Sequence, residues 1–261
     1  SPSSNPFYYF SVTGMKKGTT ILALLFICML GYAQLPLQLY PKTTPLKFSA
    51  EGELEFNRLV ARCDTFFMWS DVYCSEVAPG YWETEGGACS WYCNGGPDTV
   101  MASSYLPAQG TINYLPKNAH NWNYKTAWAE GVPGHGIGEY LLFSFPADKP
   151  RVGTIKIANG YVKSQKDWEN NSRVKTIKLY LNDKVYAILH LEDSRSLQVF
   201  SVTPIGNAMD TWEQVKDDPN WTLKFEIVAV YPGKKYKDTV ISEISFDGPD
   251  SHSTSAEWRN Y

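Results

Sequence analysis

Thr222 to Tyr231 reads "TLKFEIVAVY", with Leu223, Phe225 and Ile227 alternating against Lys224 and Glu226. A period of two places the apolar side chains on one face of an extended chain and the charged ones on the other, the pattern of a half-buried strand. "VGTIKIA" (Val152 to Ala158) repeats it, with Ile155 and Ile157 flanking Lys156. Five more apolar segments surround these two: "EYLLFSF" (Glu139 to Phe145), "VKTIKLYL" (Val174 to Leu181), "KVYAILHL" (Lys184 to Leu191), "LQVFSV" (Leu197 to Val202) and "TVISEISF" (Thr239 to Phe246). Asn182-Asp183, Pro232-Gly233 and Gly248-Pro249 punctuate them as turn makers, and "LNDKVY" predicts a hairpin. Seven strands with few helical stretches predict an all-β fold, an antiparallel β-sandwich.

Upstream of Thr99 the pattern is different. Phe56, Leu59, Val60 and Cys63 fall at helical spacing and predict a short helix between Leu46 and Cys63. Thr65 to Asp98 is rich in aromatic residues, Gly and Cys with neither period, which predicts an irregular lead-in. From Met15 the chain reads "MKKGTTILALLFICMLGYAQ", two lysines, an apolar run from Ile21 to Leu30 and a small-residue cleavage site at Gly31-Tyr32-Ala33. This is the layout of a secretory signal peptide, and the run is shorter than the ~20 residues that cross a bilayer, so no membrane span is expected. The expected organisation is an upstream extension at 1–14, a signal peptide at 15–33, a lead-in at 34–98, a sandwich at 99–249 and a tail at 250–261.

Charge and cysteines narrow the function classes. Without Lys16 and Lys17 the basic residues fall from 24 to 22 against 27 acidic ones, so the net charge goes from -3 to -5. No Lys/Arg run forms a basic stripe, which disfavours nucleic acid as a partner. The exported chain would keep four cysteines, Cys63, Cys74, Cys89 and Cys93, an even number that predicts two disulfides of undetermined pairing. In "CSWYCNGG" the alternatives to a staple are weaker. The four histidines lie far from the cysteines, against a zinc clip. Gly95-Gly96-Pro97 prevents a helix from starting as a redox pair needs, and no neighbouring base marks a catalytic thiol.

"ASSYLPAQGTINYLPKNAHNWNYKTAW" (Ala102 to Trp128) resembles the opening of a coagulation-factor type C (discoidin) or family 32 carbohydrate-binding jelly roll, where a loop of the form Ala-x-Asp-x-Asn-x-x-Thr-x-Trp follows a strand. The same spacing falls here on Ala119, Asn121, Asn123, Thr126 and Trp128. Together with "CSWYC", "TAWAEGVPGHGIGE", "NGYVKS", "WENNSRVK" and "SEISF", this ordered set resembles the glycan-binding domain attached to secreted bacterial NAD glycohydrolases, from about Cys63 to Gly248. The resemblance implies a galactose-binding-like jelly roll that binds glycan without hydrolysing NAD, secreted to the periplasm or surface of a bacterium. It also implies a structural calcium held by Asn121, Asn123, Thr126 and Glu243. Asn121 stands where the family has Asp, which leaves Glu243 as the one carboxylate of the set and weakens affinity for an ion that prefers several. The alternative is a loop held by Asn side chains bonded to their own backbone.

Sugar recognition stacks an aromatic ring on a pyranose and grips hydroxyls with planar polar groups. Trp122 and Tyr124 alternate with Asn121 and Asn123, so inward asparagines would turn both rings outward as a platform. His135, in the Gly-rich run "EGVPGHGIGEY", is a further ligand candidate. That run lacks the Lys-Ser/Thr of a phosphate loop. Trp168, Asn171 and Arg173 combine a ring, an amide and a cation in one loop, although Arg173 would serve equally as a brace to Glu130 or Glu139. Trp128 is assigned to the core. Glu130, Glu139, Asp167 and Glu169 are the carboxylates available to a glycoside hydrolase, but their spacing singles out no pair. The expected function is non-catalytic glycan binding, with a protein-binding adhesion module and an uncharacterised hydrolase as alternatives.

Overall fold

Leu223, Phe225 and Ile227 are buried to within 1% of complete exclusion from solvent, while Lys224 and Glu226 sit half-buried on the outer face, as the alternation requires. The computed structural model describes residues 35–45, 91, 95–207 and 218–249. The expected signal peptide, the helix expected between Leu46 and Cys63, all four cysteines named above and the expected tail lie outside these residues.

Among the described residues eleven strands form: β1 (Leu37–Leu39), β2 (Lys42–Pro45), β3 (Thr99–Ala102), β4 (Trp128–Ala129), β5 (Tyr140–Phe145), β6 (Val152–Asn159), β7 (Ser172–Leu181), β8 (Lys184–His190), β9 (Ser196–Ile205), β10 (Trp221–Tyr231) and β11 (Thr239–Asp247). All seven expected strands are present. They build two layers, β1-β8-β7-β10-β5-β3 and β2-β9-β6-β11, with β4 also paired to β11. The layers are continuous where Thr239 and Val240 of β11 pair in parallel with Ser172 and Arg173 of β7. Beyond that point β11 leaves the ladder and crosses the other layer, which is why eight of its nine residues are buried. Pairing is antiparallel except there and between β1 and β8.

Face-to-face packing makes the arrangement a sandwich. Phe246 of β11 meets Phe143 and Phe145 of β5 edge-on at 5.2 and 5.3 Å between ring centroids, and Phe225 of β10 at 6.2 Å, although neither strand is hydrogen-bonded to β11. Each such ring removed from water contributes roughly 2–3 kcal/mol, so this cluster is a principal reason the layers stay closed. Trp128 is fully buried in the same core, as expected. The β7–β8 hairpin also matches: Asn182 and Asp183 adopt φ of 47° and 64°, the left-handed pair that a two-residue turn needs to follow the strand twist.

Two features were not legible. β1 and β2 form a strap: β1 pairs with β8 and β2 with β9, so Tyr40-Pro41 carries the chain from the edge of one layer to the edge of the other. Between β6 and β7, where a long loop was expected, a short helix forms, α1 (Gln165–Asn170). Ser164 caps it by accepting from the Asp167 N–H at 3.0 Å, and buried Trp168 anchors it. The described residues from 36 onward belong to one compact unit. None of their helices is long and apolar enough to cross a membrane.

Candidate functional site

The fold brings Asn121, Asn123, Thr126 and Glu243 together. Oε2 of Glu243 accepts the N–H of Trp122 at 3.0 Å and that of Asn121 at 3.3 Å. Oδ1 of Asn121 accepts the Asn123 N–H at 3.0 Å, and its amide donates to the Thr126 hydroxyl oxygen at 2.9 Å. Oδ1 of Asn123 accepts the Lys125 N–H at 3.0 Å. The loop's side-chain oxygens therefore close on its own backbone. Glu243 is 1% exposed and its Oε1 has no hydrogen-bond partner among the described residues, so burial pushes its carboxyl up to about 8 despite the two backbone donors. His120 Nδ1 lies 3.8 Å from that oxygen but is bonded at 2.7 Å to the Ile244 carbonyl, which marks it as the protonated nitrogen; burial lowers the pKa of this ring.

The expectation that Trp122 and Tyr124 both face outward is corrected. Trp122 is 36% exposed and Tyr124 only 7%. Trp122 has φ of 59°, and this left-handed residue breaks the alternation that an extended loop would have kept.

Trp168, Asn171 and Arg173 are gathered into a brace. Arg173 lies over the Trp168 ring at 4.6 Å, and its Nε and Nη2 grip both oxygens of Asp193 at 2.9 Å. Its Nη1 donates to the Asn171 carbonyl at 3.0 Å. The Trp168 indole donates to the Asn159 carbonyl at 2.9 Å, and the Asn171 amide to the Asp167 carbonyl at 2.8 Å. Trp168 is 8% exposed, so it offers little ring to a ligand. The partner of Arg173 is Asp193 rather than Glu130 or Glu139, because those two are already taken. Glu130 accepts the N–H groups of Thr239 and Val132 at 3.1 and 2.9 Å, while Glu139 accepts the hydroxyls of Ser103 and Ser104. His135 Nδ1 sits 3.1 Å from both Ser172 Oγ and the Lys237 carbonyl, bracing two loops.

An open cleft lies elsewhere, beside the strap. It has a volume of about 290 Å³ and is lined by Tyr40, Lys175, His190, Glu192 and Tyr231. Tyr40 is 71% exposed and stacks on His190 with centroids 4.7 Å apart and planes 12° from parallel. His190 Nε2 is 2.8 Å from Gln38 Oε1, and the Tyr231 hydroxyl donates to the Leu191 carbonyl at 3.0 Å, so both inner rings are fixed. Lys175 Nζ stands 5.6 Å from the Tyr231 ring centroid. The cleft thus combines ring faces, one ammonium donor and one carboxylate acceptor. Its residues come from the strap, β7, the end of β8 and the end of β10, so no local motif could have announced it.

The family model described as NAD glycohydrolase translocation F5/8 type C domain matches residues 91–247, more than half of the chain. The chain belongs to this family. The matched stretch contains Ala102 to Trp128 and the later fragments that carried the resemblance, while the part of the resemblance before residue 91 lies outside the match. No curated protein matches the chain. Among solved structures it is similar to the CBM32-1 and CBM32-2 domains of Clostridium perfringens ZmpB in complex with GalNAc, at 10% identity, 83% of this chain, 41% of that chain and a TM-score of 0.45. A second structure of the same ZmpB domains aligns at 11% identity over 89% of this chain and 48% of that one, with a TM-score of 0.45. The family 32 carbohydrate-binding module of C. perfringens NanJ in complex with galactose aligns at 16% identity over 57% of this chain and 91% of that one, with a TM-score of 0.38. The chain spans less than half the length of the first two.

Proposed function

We propose that this F5/8 type C domain is an exported, non-catalytic glycan-binding module and that the cleft beside Tyr40 receives a sugar ring. The observation that carries the reading is the Tyr40–His190 stack, whose exposed ring stands beside Lys175 and Glu192. A ring face can cover the apolar side of a pyranose, while an ammonium and a carboxylate together donate to and accept from neighbouring hydroxyls. A volume of about 290 Å³ suits a single ring. Lys16-Lys17 and the apolar run that follows support export.

Binding is favoured over hydrolysis by how the carboxylates are used. Cleavage of a glycosidic bond takes two carboxyl groups flanking it, and among the described residues Glu192 is the one carboxylate lining the cleft. Of the four proposed from sequence, Glu130 and Glu139 are bonded as above, Asp167 accepts from the Ser164 hydroxyl at 2.7 Å, and Glu169 pairs with Lys234 at 2.5 Å.

The loop around Glu243 is read as self-braced rather than as a calcium site. Calcium takes six to eight oxygens, several of them carboxylate. Here one carboxylate is present, burial favours its protonated form, and the amide oxygens already accept backbone N–H groups. Among the described residues no group of three or more His, Cys, Asp or Glu is placed to hold a metal. The donor set does not fit the ion.

A glycan array probed with the full chain tests the function. Binding to a restricted set of glycans, lost in Tyr40→Ala, is the expected result. A blank array at high protein concentration would instead favour a protein-binding module, and turnover of a chromogenic glycoside would establish a hydrolase.

A further inference from the structure

Lys224 projects from β10 onto the outer face of the six-stranded layer between two phenols, its Nζ 4.1 Å from the Tyr180 ring centroid and 5.4 Å from that of Tyr140. The ladder fixes this placement. Lys224 is opposite Tyr180 on β7, and Glu226 is opposite Lys178 on β7 and Tyr140 on β5. Glu226 is engaged by both Lys178, at 3.4 Å, and the Tyr180 hydroxyl, at 2.8 Å. Lys224 has no carboxylate partner among the described residues and is held only by ring faces, which orient a cation without neutralising it.

The same face leads to the cleft. Lys175 lies five residues before Tyr180 on β7, roughly 17 Å at the ~3.3 Å rise of a strand. The β7–β10 ladder shifts register beside Lys175, and its side chain is exposed. In a chain of net charge -3, the face from the cleft to Tyr140 therefore presents the amines of Lys175 and Lys224, on either side of the Lys178–Glu226 pair, against the carboxylate of Glu192.

We infer that the ligand is an extended, carboxylate-bearing glycan chain, which seats one ring in the cleft and lays the following rings along the outer face of β7 and β10 to a second contact at Lys224. This rests on the glycan-binding reading above. Two contacts on one rigid sheet act as linked sites, so affinity rises once the chain is long enough to span them and is unchanged while it is too short.

The test is titration calorimetry of the full chain with galacturonic acid and its dimer, tetramer and hexamer, with uncharged maltooligosaccharides of matched length as the control. The hexamer is expected to bind at least about tenfold tighter than the monomer, a difference of ~1.4 kcal/mol. Lys224→Gln should abolish that gain while leaving the monomer unaffected, Lys224→Arg should keep it, and Tyr40→Ala should weaken every length. Affinity that does not change with length, a gain that survives Lys224→Gln, or an equal gain in the uncharged series would overturn the inference and leave the cleft reading intact. Monomer binding unaffected by Tyr40→Ala would overturn the cleft reading itself. Failure of every acidic probe to bind overturns the inference alone, since the array decides glycan binding independently.

Discussion

The backbone N–H of Trp122 donates to Glu243 Oε2 at 3.0 Å, joining residues 121 positions apart. This bond and its neighbour at Asn121 hold the loop at the point where Trp122 turns left-handed. Glu243 achieves this at a cost, because its carboxyl is buried and pushed up to about 8 from the usual carboxylate range.

That cost sets a pH dependence. A carboxyl whose pKa is higher folded than unfolded binds a proton in the native state that the unfolded chain has released, so stability falls as pH rises through this window and levels off above the folded value. From about pH 7.5 to pH 9 the lowered His120 is almost wholly neutral in both states and adds little. Glu243→Gln keeps an oxygen for both N–H groups and removes the ionisation. Its melting temperature relative to wild type should rise progressively over that range, as scanning calorimetry would show; a constant difference would contradict the assigned ionisation.

Calcium provides a separate check on the same loop. The melting temperature at about pH 8 should be the same in millimolar calcium as in chelator, since Asn121 and Asn123 direct their oxygens to backbone N–H groups. An ion that bound only the folded state at a hundredfold excess over its Kd would add about 2.7 kcal/mol, a shift that could not be missed.

Arg173 should prove to be a structural residue. Arg173→Lys loses the two-pronged grip on Asp193 and the planar stack on Trp168, and should cost about 2 kcal/mol in denaturant unfolding without changing glycan affinity. Gly160→Ala should destabilise for a linked reason: φ is 84° there and a Cβ would come within 2.5 Å of Arg173 Cγ. A loss of binding in Arg173→Lys at full stability would return this loop to the ligand site.

The strands could be read from sequence wherever one face meets the core and the other meets water, as along Leu223 to Ile227. The chain's own periodicity carries that information. β1 and β2 carried none, because three or four residues show no usable period and their partners on β8 and β9 lie some 150 positions away in the chain. At the site, residue types were informative and directions were not. The family resemblance grouped Asn121, Asn123, Thr126 and Glu243, and the fold does bring them together, yet the left-handed turn at Trp122 sent Tyr124 inward. The cleft was invisible for the same reason as the strap that walls it: Tyr40 meets His190 only once the two layers are joined at their edge.

The central claim is that the ring of Tyr40 binds sugar, and its most direct test is the equilibrium affinity of the strongest array glycan for wild type, Tyr40→Ala and Trp122→Ala. At least a tenfold loss in Tyr40→Ala, about 1.4 kcal/mol, with Trp122→Ala close to wild type is the predicted result. Unchanged affinity in Tyr40→Ala with loss in Trp122→Ala would move the site to the Asn121–Thr126 loop and contradict the account.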